Sequence, residues 1–284
     1  MKSIADYDRE IQQDPNNAEL YRLRGFEYYK KGDCNRAIMD YDQANKLNPD
    51  CAKIYNSRGI AYRQKGNLEQ AIKDFDQAIQ LDPNFARPYI NRGTVFEMKD
   101  DNDRALADYD KAIQIDPNDA DAYFNRGGLY SFSGTAYLYG EKDIERANTF
   151  FDRAITDYNQ AIKIAPDNAM AYVYRGMAYT SKKDFDQAVK DLDQAILIDP
   201  EDPDAYLQRG NVYKNKKDYD RAIADYNKAL QLYPNHVLAY NARALTYCDI
   251  GDYVKAIADW EVVLILNPND SNAKMYIDRA RRKM

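Results

Sequence analysis

Little in this sequence is equipped for chemistry. Among 284 residues there is one histidine, His236, and no Cys or His cluster accompanies it. The three cysteines are Cys34, Cys51 and Cys248. Cys34 and Cys51 flank one predicted helix, which holds their α-carbons roughly 20–25 Å apart at about 1.5 Å rise per residue. A disulfide needs them within about 7 Å, so reduced thiols filling small gaps are expected. There is no Gly-rich phosphate loop, no GxSxG and no metal-ligand spacing. The many carboxylates fall at helix caps or on solvated faces. No catalytic centre, metal or cofactor is therefore expected. No window approaches about 18 uninterrupted apolar residues, so no membrane span is expected. The start, "MKSIADYDREIQQDP", lacks the apolar core of a signal peptide, which points to a cytoplasmic location. Basic surplus is missing too: 40 Lys and Arg stand against 46 Asp and Glu, a net charge of −6. That argues against nucleic acid as partner. The one clearly basic cluster, the C-terminal "DRARRKM", complements a helix dipole or offers a weak patch for an anionic partner.

What the chain has in quantity is tyrosine, 26 of them, arranged in a repeat. "YxxRG" occurs as YRLRG (21–25), YNSRG (55–59), YINRG (89–93), YFNRG (123–127), YVYRG (172–176) and YLQRG (206–210), and returns as YNARA (240–244). The spacings are 34, 34, 34, 49, 34 and 34. A second run follows each copy, as in AIMDYDQA, AIKDFDQA, ALADYDKA and AITDYNQA. Each unit ends near a proline, from Pro49 to Pro268. Numbering the unit from Ala18, apolar or small residues fall at positions 4, 8 and 11, then at 20, 24 and 27, which is a helical face in each half. Gly or Lys at 15 followed by Asp or Asn at 16 ends the first helix and caps the second. Asp33, Asp184, Asp218 and Asp252 take that cap position. Each unit is thus a helix–turn–helix whose stripes need a neighbour to cover them.

The length of 34, the aromatic at 4, Gly at 8, Tyr at 11, Ala at 20, aromatic at 24, Ala at 27 and Pro at 32 closely resemble the tetratricopeptide repeat signature. Two departures are Tyr for the family's frequent Trp at position 4 and Arg for Leu at 7. The resemblance implies an all-α fold, a right-handed superhelical α-solenoid of stacked helix–turn–helix repeats. The expected organisation is a half-repeat at 1–17, repeats at 18–51, 52–85, 86–119, 120–168, 169–202, 203–236 and 237–270, and a capping helix at 271–284.

Every repeat has Arg at position 7 (Arg24, Arg58, Arg92, Arg126, Arg175, Arg209, Arg243) and Asp at 23 (Asp40, Asp74, Asp108, Asp157, Asp191, Asp225, Asp259). Identical charges in every unit suit a structural ladder better than a ligand site, with a bidentate contact satisfying both partners. Pairing within a repeat or between neighbours stays open. Asp6, which has no arginine in its own half-repeat, mildly favours pairing with Arg24.

The family resemblance implies that the first helices line a concave groove, through positions 2, 5, 6, 9, 12 and 13. The candidates there are Arg22, Phe26, Asn56, Ile60, Asn91, Thr94, Asn125, Phe132, Tyr174, Met177, Gln208 and Asn211. Amides spaced along such a groove can hold an extended peptide backbone, or can be ordinary exposed polar groups. The carboxylate clamp of one subfamily, which binds the C-termini of heat-shock chaperones, matches at only two of five positions here, Arg22 and Arg87.

The fourth repeat is 15 residues too long. Ala147, Phe151 and Ala154 reproduce the spacing of Ala154, Tyr158 and Ala161 seven residues earlier, behind a Lys142-Asp143 turn and cap. The expected form is a hairpin extended by about two turns on both helices, with Gly140 opening the turn. Its tip carries Tyr137, Leu138, Tyr139 and Phe150, an aromatic patch suited to a partner or to self-packing. "SFSGT" (131–135) is a poor helix former, so a kink or break is expected there. The functional expectation is a non-catalytic scaffold that binds a peptide or protein. The alternative is a self-assembling protein that forms homo-oligomers through the hairpin or an exposed end.

Overall fold

A computed structural model describes residues 2–284. Among these the fold is all-α, with sixteen α-helices, one π-helical turn and no strand. The chain forms two compact units, Met1–Leu129 and Tyr130–Met284. The first unit holds α1 (Ile4–Gln13), α2 (Ala18–Lys30), α3 (Cys34–Leu47), α4 (Ala52–Gln64), α5 (Leu68–Leu81), α6 (Ala86–Met98), α7 (Asn102–Ile115) and the start of α8 (Ala120–Ala136). The second holds the end of α8, then α9 (Ile144–Ile164), α10 (Ala169–Ser181), α11 (Phe185–Ile198), α12 (Pro203–Asn215), α13 (Tyr219–Leu232), α14 (Val237–Asp249), α15 (Tyr253–Leu266) and α16 (Ser271–Arg281).

Local chemistry sets these helix ends. The second helix of each pair starts on an Asp or Asn whose side chain accepts a backbone N–H three residues on. Asp33 takes it from Arg36, Asn67 from Gln70 and Asp218 from Arg221. Asp101, Asp143, Asp184 and Asp252 do the same. The residue before the cap is left-handed. Gly32, Gly66 and Gly251 adopt this freely, whereas Asp100, Lys142, Lys183 and Lys217 adopt it with a side chain attached.

Most pairs close over one large side chain flanked by fully buried alanines, while Trp260 lies between Ala256 and Val263. Tyr41 lies between Ala37 and Ala44, Phe75 between Ala71 and Ala78, and Tyr226 between Ala222 and Ala229. The rings of Tyr41, Phe75, Tyr109 and Tyr226 rest on the glycine of the facing helix, Gly25, Gly59, Gly93 and Gly210. A Cβ placed on Gly59 would sit 2.6 Å from Phe75 Cε1, so only glycine permits that approach.

The two departures at positions 4 and 7 belong together. The arginine lies one turn beyond the tyrosine, and its guanidinium covers the ring. Arg24 stands 5.5 Å from the Tyr21 centroid and Arg58 5.4 Å from Tyr55. Arg92, Arg126, Arg175, Arg209 and Arg243 cover Tyr89, Tyr123, Tyr172, Tyr206 and Tyr240 in the same way.

The long hairpin differs from expectation in two details. No break occurs at residues 131–135, because α8 runs through to Ala136. Gly134 there takes the ring of Phe151, its Cβ direction 2.8 Å from Cε1, and this packing offsets the weak helix propensity. Gly140 does not open the turn. Residues Tyr137–Glu141 form a π-helical turn, and left-handed Lys142 redirects the chain into the Asp143 cap.

Candidate interaction surface

The repeated charges form a ladder with two kinds of rung. Arg24 donates through Nε and NH2 to both oxygens of Asp40, at 2.9 and 2.6 Å. Its third nitrogen, NH1, donates to Asp8 on the preceding helix, at 2.7 Å. Arg58 binds Asp74 and Asp42 in the same manner, and Arg92 binds Asp108 and Asp76. Arg126 donates to Asp110, and Asp157 is buried on α9. In the second unit Arg175 holds Asp191 and Asn159, Arg209 holds Asp225 and Asp193, and Arg243 holds Asp259 and Asn227. Pairing is therefore both within a hairpin and to the hairpin before it. The residues at position 25 escaped notice in the sequence, although the "DYD", "DFD" and "DYN" runs contain them.

Asp6 does not pair with Arg24. It completes a capping box with Ser3 at the start of α1 and binds Arg9, so Asp8 takes the arginine instead. These contacts hold the Asp6 carboxyl below its ordinary range, the Ser3 backbone N–H foremost.

In the first unit, Arg22 is committed to Glu19 through two hydrogen bonds, 2.7 and 2.6 Å. Phe26 is 43% exposed, stacked on Tyr29 with the Lys30 amine over its ring. Asn91 Nδ2 donates to Asn56 Oδ1 at 3.0 Å, so these amides link α6 to α4. Asn56 is buried. Arg63 links the same helices by donating to Thr94 Oγ1 at 2.8 Å. Ile60 is half-buried against the Phe75 cluster, and Asn125 is half-buried on α8.

Glu97 on α6 was not singled out by sequence. Its Oε1 is buried without a hydrogen-bond partner, beside the Tyr109 hydroxyl, which is buried too. Desolvation pushes the Glu97 carboxyl up, and the Tyr109 phenol likewise.

In the second unit Phe132 is 60% exposed, Tyr174 37% and Met177 38%. Asn211 Oδ1 accepts the Tyr226 hydroxyl at 3.0 Å, while its Nδ2 donates to Gln208 at 3.3 Å. The amides of both units thus satisfy one another in part. The hairpin tip packs on itself: Tyr137 stacks on Phe150 at 5.3 Å, Arg153 lies over Tyr130 and Phe150, and Arg146 lies over Tyr137. Leu138 is half-buried, while Tyr139 and Ile144 are exposed. His236 is buried, 3.1 Å from Asp204 Oδ1, and occupies the N-cap position of α14 without a side-chain cap hydrogen bond. Among the described residues no group of three His, Cys, Asp or Glu is placed to hold a metal ion. No helix among them is long and apolar enough to cross a membrane.

Stacked helix pairs of this kind define a repeat protein of the interaction-module class. Family models described as tetratricopeptide repeat or TPR repeat match residues 25–66, 52–85, 98–131, 176–217, 203–236 and 225–258. Together they span more than half of the chain, which belongs to the tetratricopeptide repeat family. No curated protein sequence matches it.

Solved structures share the fold. A monomeric mutant of IFIT1 with Gppp-AAAA superposes with a TM-score of 0.74 at 18% identity, over 99% of this chain and 67% of that one. The APC/C Cut9–Hcn1 hetero-tetramer gives 0.68 at 21% identity over 98% of this chain, which spans 52% of the matched chain. YrrB, a TPR protein with an unusual peptide-binding site, gives 0.52 at 22% identity, over 73% of this chain and 97% of that one. At these identities the likeness is one of fold.

Proposed function

We propose that this chain is a non-catalytic scaffold that binds an extended peptide or protein segment on the faces presented by its first helices. The supporting observation is where large apolar side chains are left exposed. The aromatic rings Phe26 on α2, Phe132 on α8 and Tyr174 on α10 stay open at groove positions together with Met177, whereas the exposed apolar groups of the second helices, such as Met39, Leu197 and Ile265, are not aromatic. The half-buried amides Asn91 in one unit, and Gln208 and Asn211 in the other, are only partly satisfied and offer donors and acceptors to a peptide main chain. YrrB, of the same fold, has a peptide-binding site, which adds support. A phage-displayed random peptide library panned on the intact protein tests this reading. Enriched peptides should lose binding when Phe26→Ser or Tyr174→Ser is introduced. Peptides indifferent to both substitutions would refute it.

A second reading has its own observation. Tyr139 is 75% exposed and Ile144 63%, adjacent at the hairpin tip, which favours contact with another copy. Light scattering tests it: a monomer at all concentrations, unchanged by Tyr139→Ser, would exclude self-assembly through the tip.

A further inference from the structure

The second unit contains a cavity that neither peptide binding nor the hairpin uses. Leu245 on α14, Trp260 on α15 and Tyr276 on α16 wall a space of about 370 Å³. Tyr276 stacks on Trp260 with centroids 5.2 Å apart. The indole is 1% exposed, and its Nε1–H has no acceptor. The volume lies in the small-molecule range.

The charged side chains that line this space carry one sign, while Asp249, held by Lys214 at 3.6 Å, stands near enough to its edge to add to the burial that pushes the Cys248 thiol up. Arg279, Arg282 and Lys283 line it, and no carboxylate does. Lys283 rests over the Tyr253 ring at 5.8 Å. Among the described residues Arg279 and Arg282 have no ionic partner, although most arginines hold an Asp or Glu and neighbouring Arg281 reaches Glu261. In a chain of net charge −6, unmatched cations gathered at an apolar chamber attract an anion with an apolar body. Complementing the α16 dipole accounts for cations in the last turn, but not for the aromatic chamber they face.

We propose that this cavity binds a small amphiphilic carboxylate of the medium-chain fatty acid class. The alkyl body lies against Leu245, Trp260 and Tyr276. The carboxylate meets the guanidinium forks of Arg279, in the last turn of α16, and of Arg282, the residue that follows the helix end. A simple inorganic anion would leave the chamber unused, and a neutral lipid would leave the cations unmatched.

Trp260 is the one tryptophan in the chain, so intrinsic fluorescence reports on the site directly. The full chain is titrated with decanoate below its micelle-forming concentration, and in parallel with decanol and with acetate. Decanoate should give a saturable change in emission that the other two do not match. The double variant Arg279→Ala/Arg282→Ala should bind about tenfold more weakly or worse, with its helical circular dichroism intact, while Arg281→Ala binds as before. Decanol acting as well as decanoate, or unchanged affinity in the double variant, would overturn the proposal. So would an emission change that follows protein concentration without ligand, which would mark a second copy as the occupant. Peptide selection on Phe26 and Tyr174 is a separate readout, so either reading can fail alone.

Discussion

At the residue scale the molecule is held by an arginine that satisfies three demands at once. Arg58 forks onto Asp74, reaches back to Asp42 and covers Tyr55. Asp74 is 2% exposed, so removing the guanidinium strands a buried carboxylate. Arg58→Ala should cost about 3 kcal/mol, read as a lowered midpoint in urea unfolding. Glu97 presents the opposite case, a carboxyl whose burial opposes ionisation. Its folded-state pKa is raised. Its stabilising contribution is therefore full below the unfolded value and is lost as pH rises through the folded one. Glu97→Gln removes that loss. The variant should melt higher than the parent at pH 8, and the difference should vanish as pH falls through the ordinary glutamate range. Thermal melts across that interval check the sign.

At the element scale, turns and close approaches decide what each position tolerates. Lys183 and Lys217 hold left-handed backbone at φ 64° and 62° where other repeats use glycine. A left-handed non-glycine residue costs roughly 1–2 kcal/mol, against about 0.5–1 kcal/mol for the extra unfolded freedom of glycine. Lys183→Gly should therefore stabilise by a few tenths to about 1 kcal/mol in thermal or chemical unfolding. Gly59 and Gly128 should respond in opposite directions to alanine. Gly59→Ala drives a methyl into Phe75 and should cost about 1–3 kcal/mol. Gly128 has nothing within 4 Å of its Cβ direction, so Gly128→Ala should gain roughly 0.5–1 kcal/mol through helix propensity. Sequence foretold these elements where a signal recurred. Helix pairs, caps and the early start of α9 all repeat a pattern seen several times. It was silent where one copy departs: the π-helical turn after Ala136 and the loss of Asp6 to a capping box have no second instance to read. Side chains paired across helices were hidden as well. Asn56 and Asn91 read as separate groove amides, and only the packing of α4 on α6 shows that they bind each other.

At the scale of the whole molecule, stability is local and additive. A helix–turn–helix unit touches only its sequence neighbours, so protection should follow the number of neighbours. In the first unit α1 has α2 on one side and no helix before it among the described residues. In the second, α16 packs on α15 alone at the other end. Both carry thin cores: Tyr7 and Ile11 for α1; Ala273, Ile277 and Ala280 for α16. Helices α5 and α13 are covered on both sides and bury Phe75 and Tyr226 completely. Native-state amide hydrogen exchange should therefore be fastest in α1 and α16 and slowest in α5 and α13. A carboxylate seated against α16 would slow exchange in that helix while leaving α1 unchanged, because a ligand stabilises only the openings it opposes. Uniform protection from α1 to α16, or slowing that spreads equally to α1 on adding decanoate, would contradict the nearest-neighbour account.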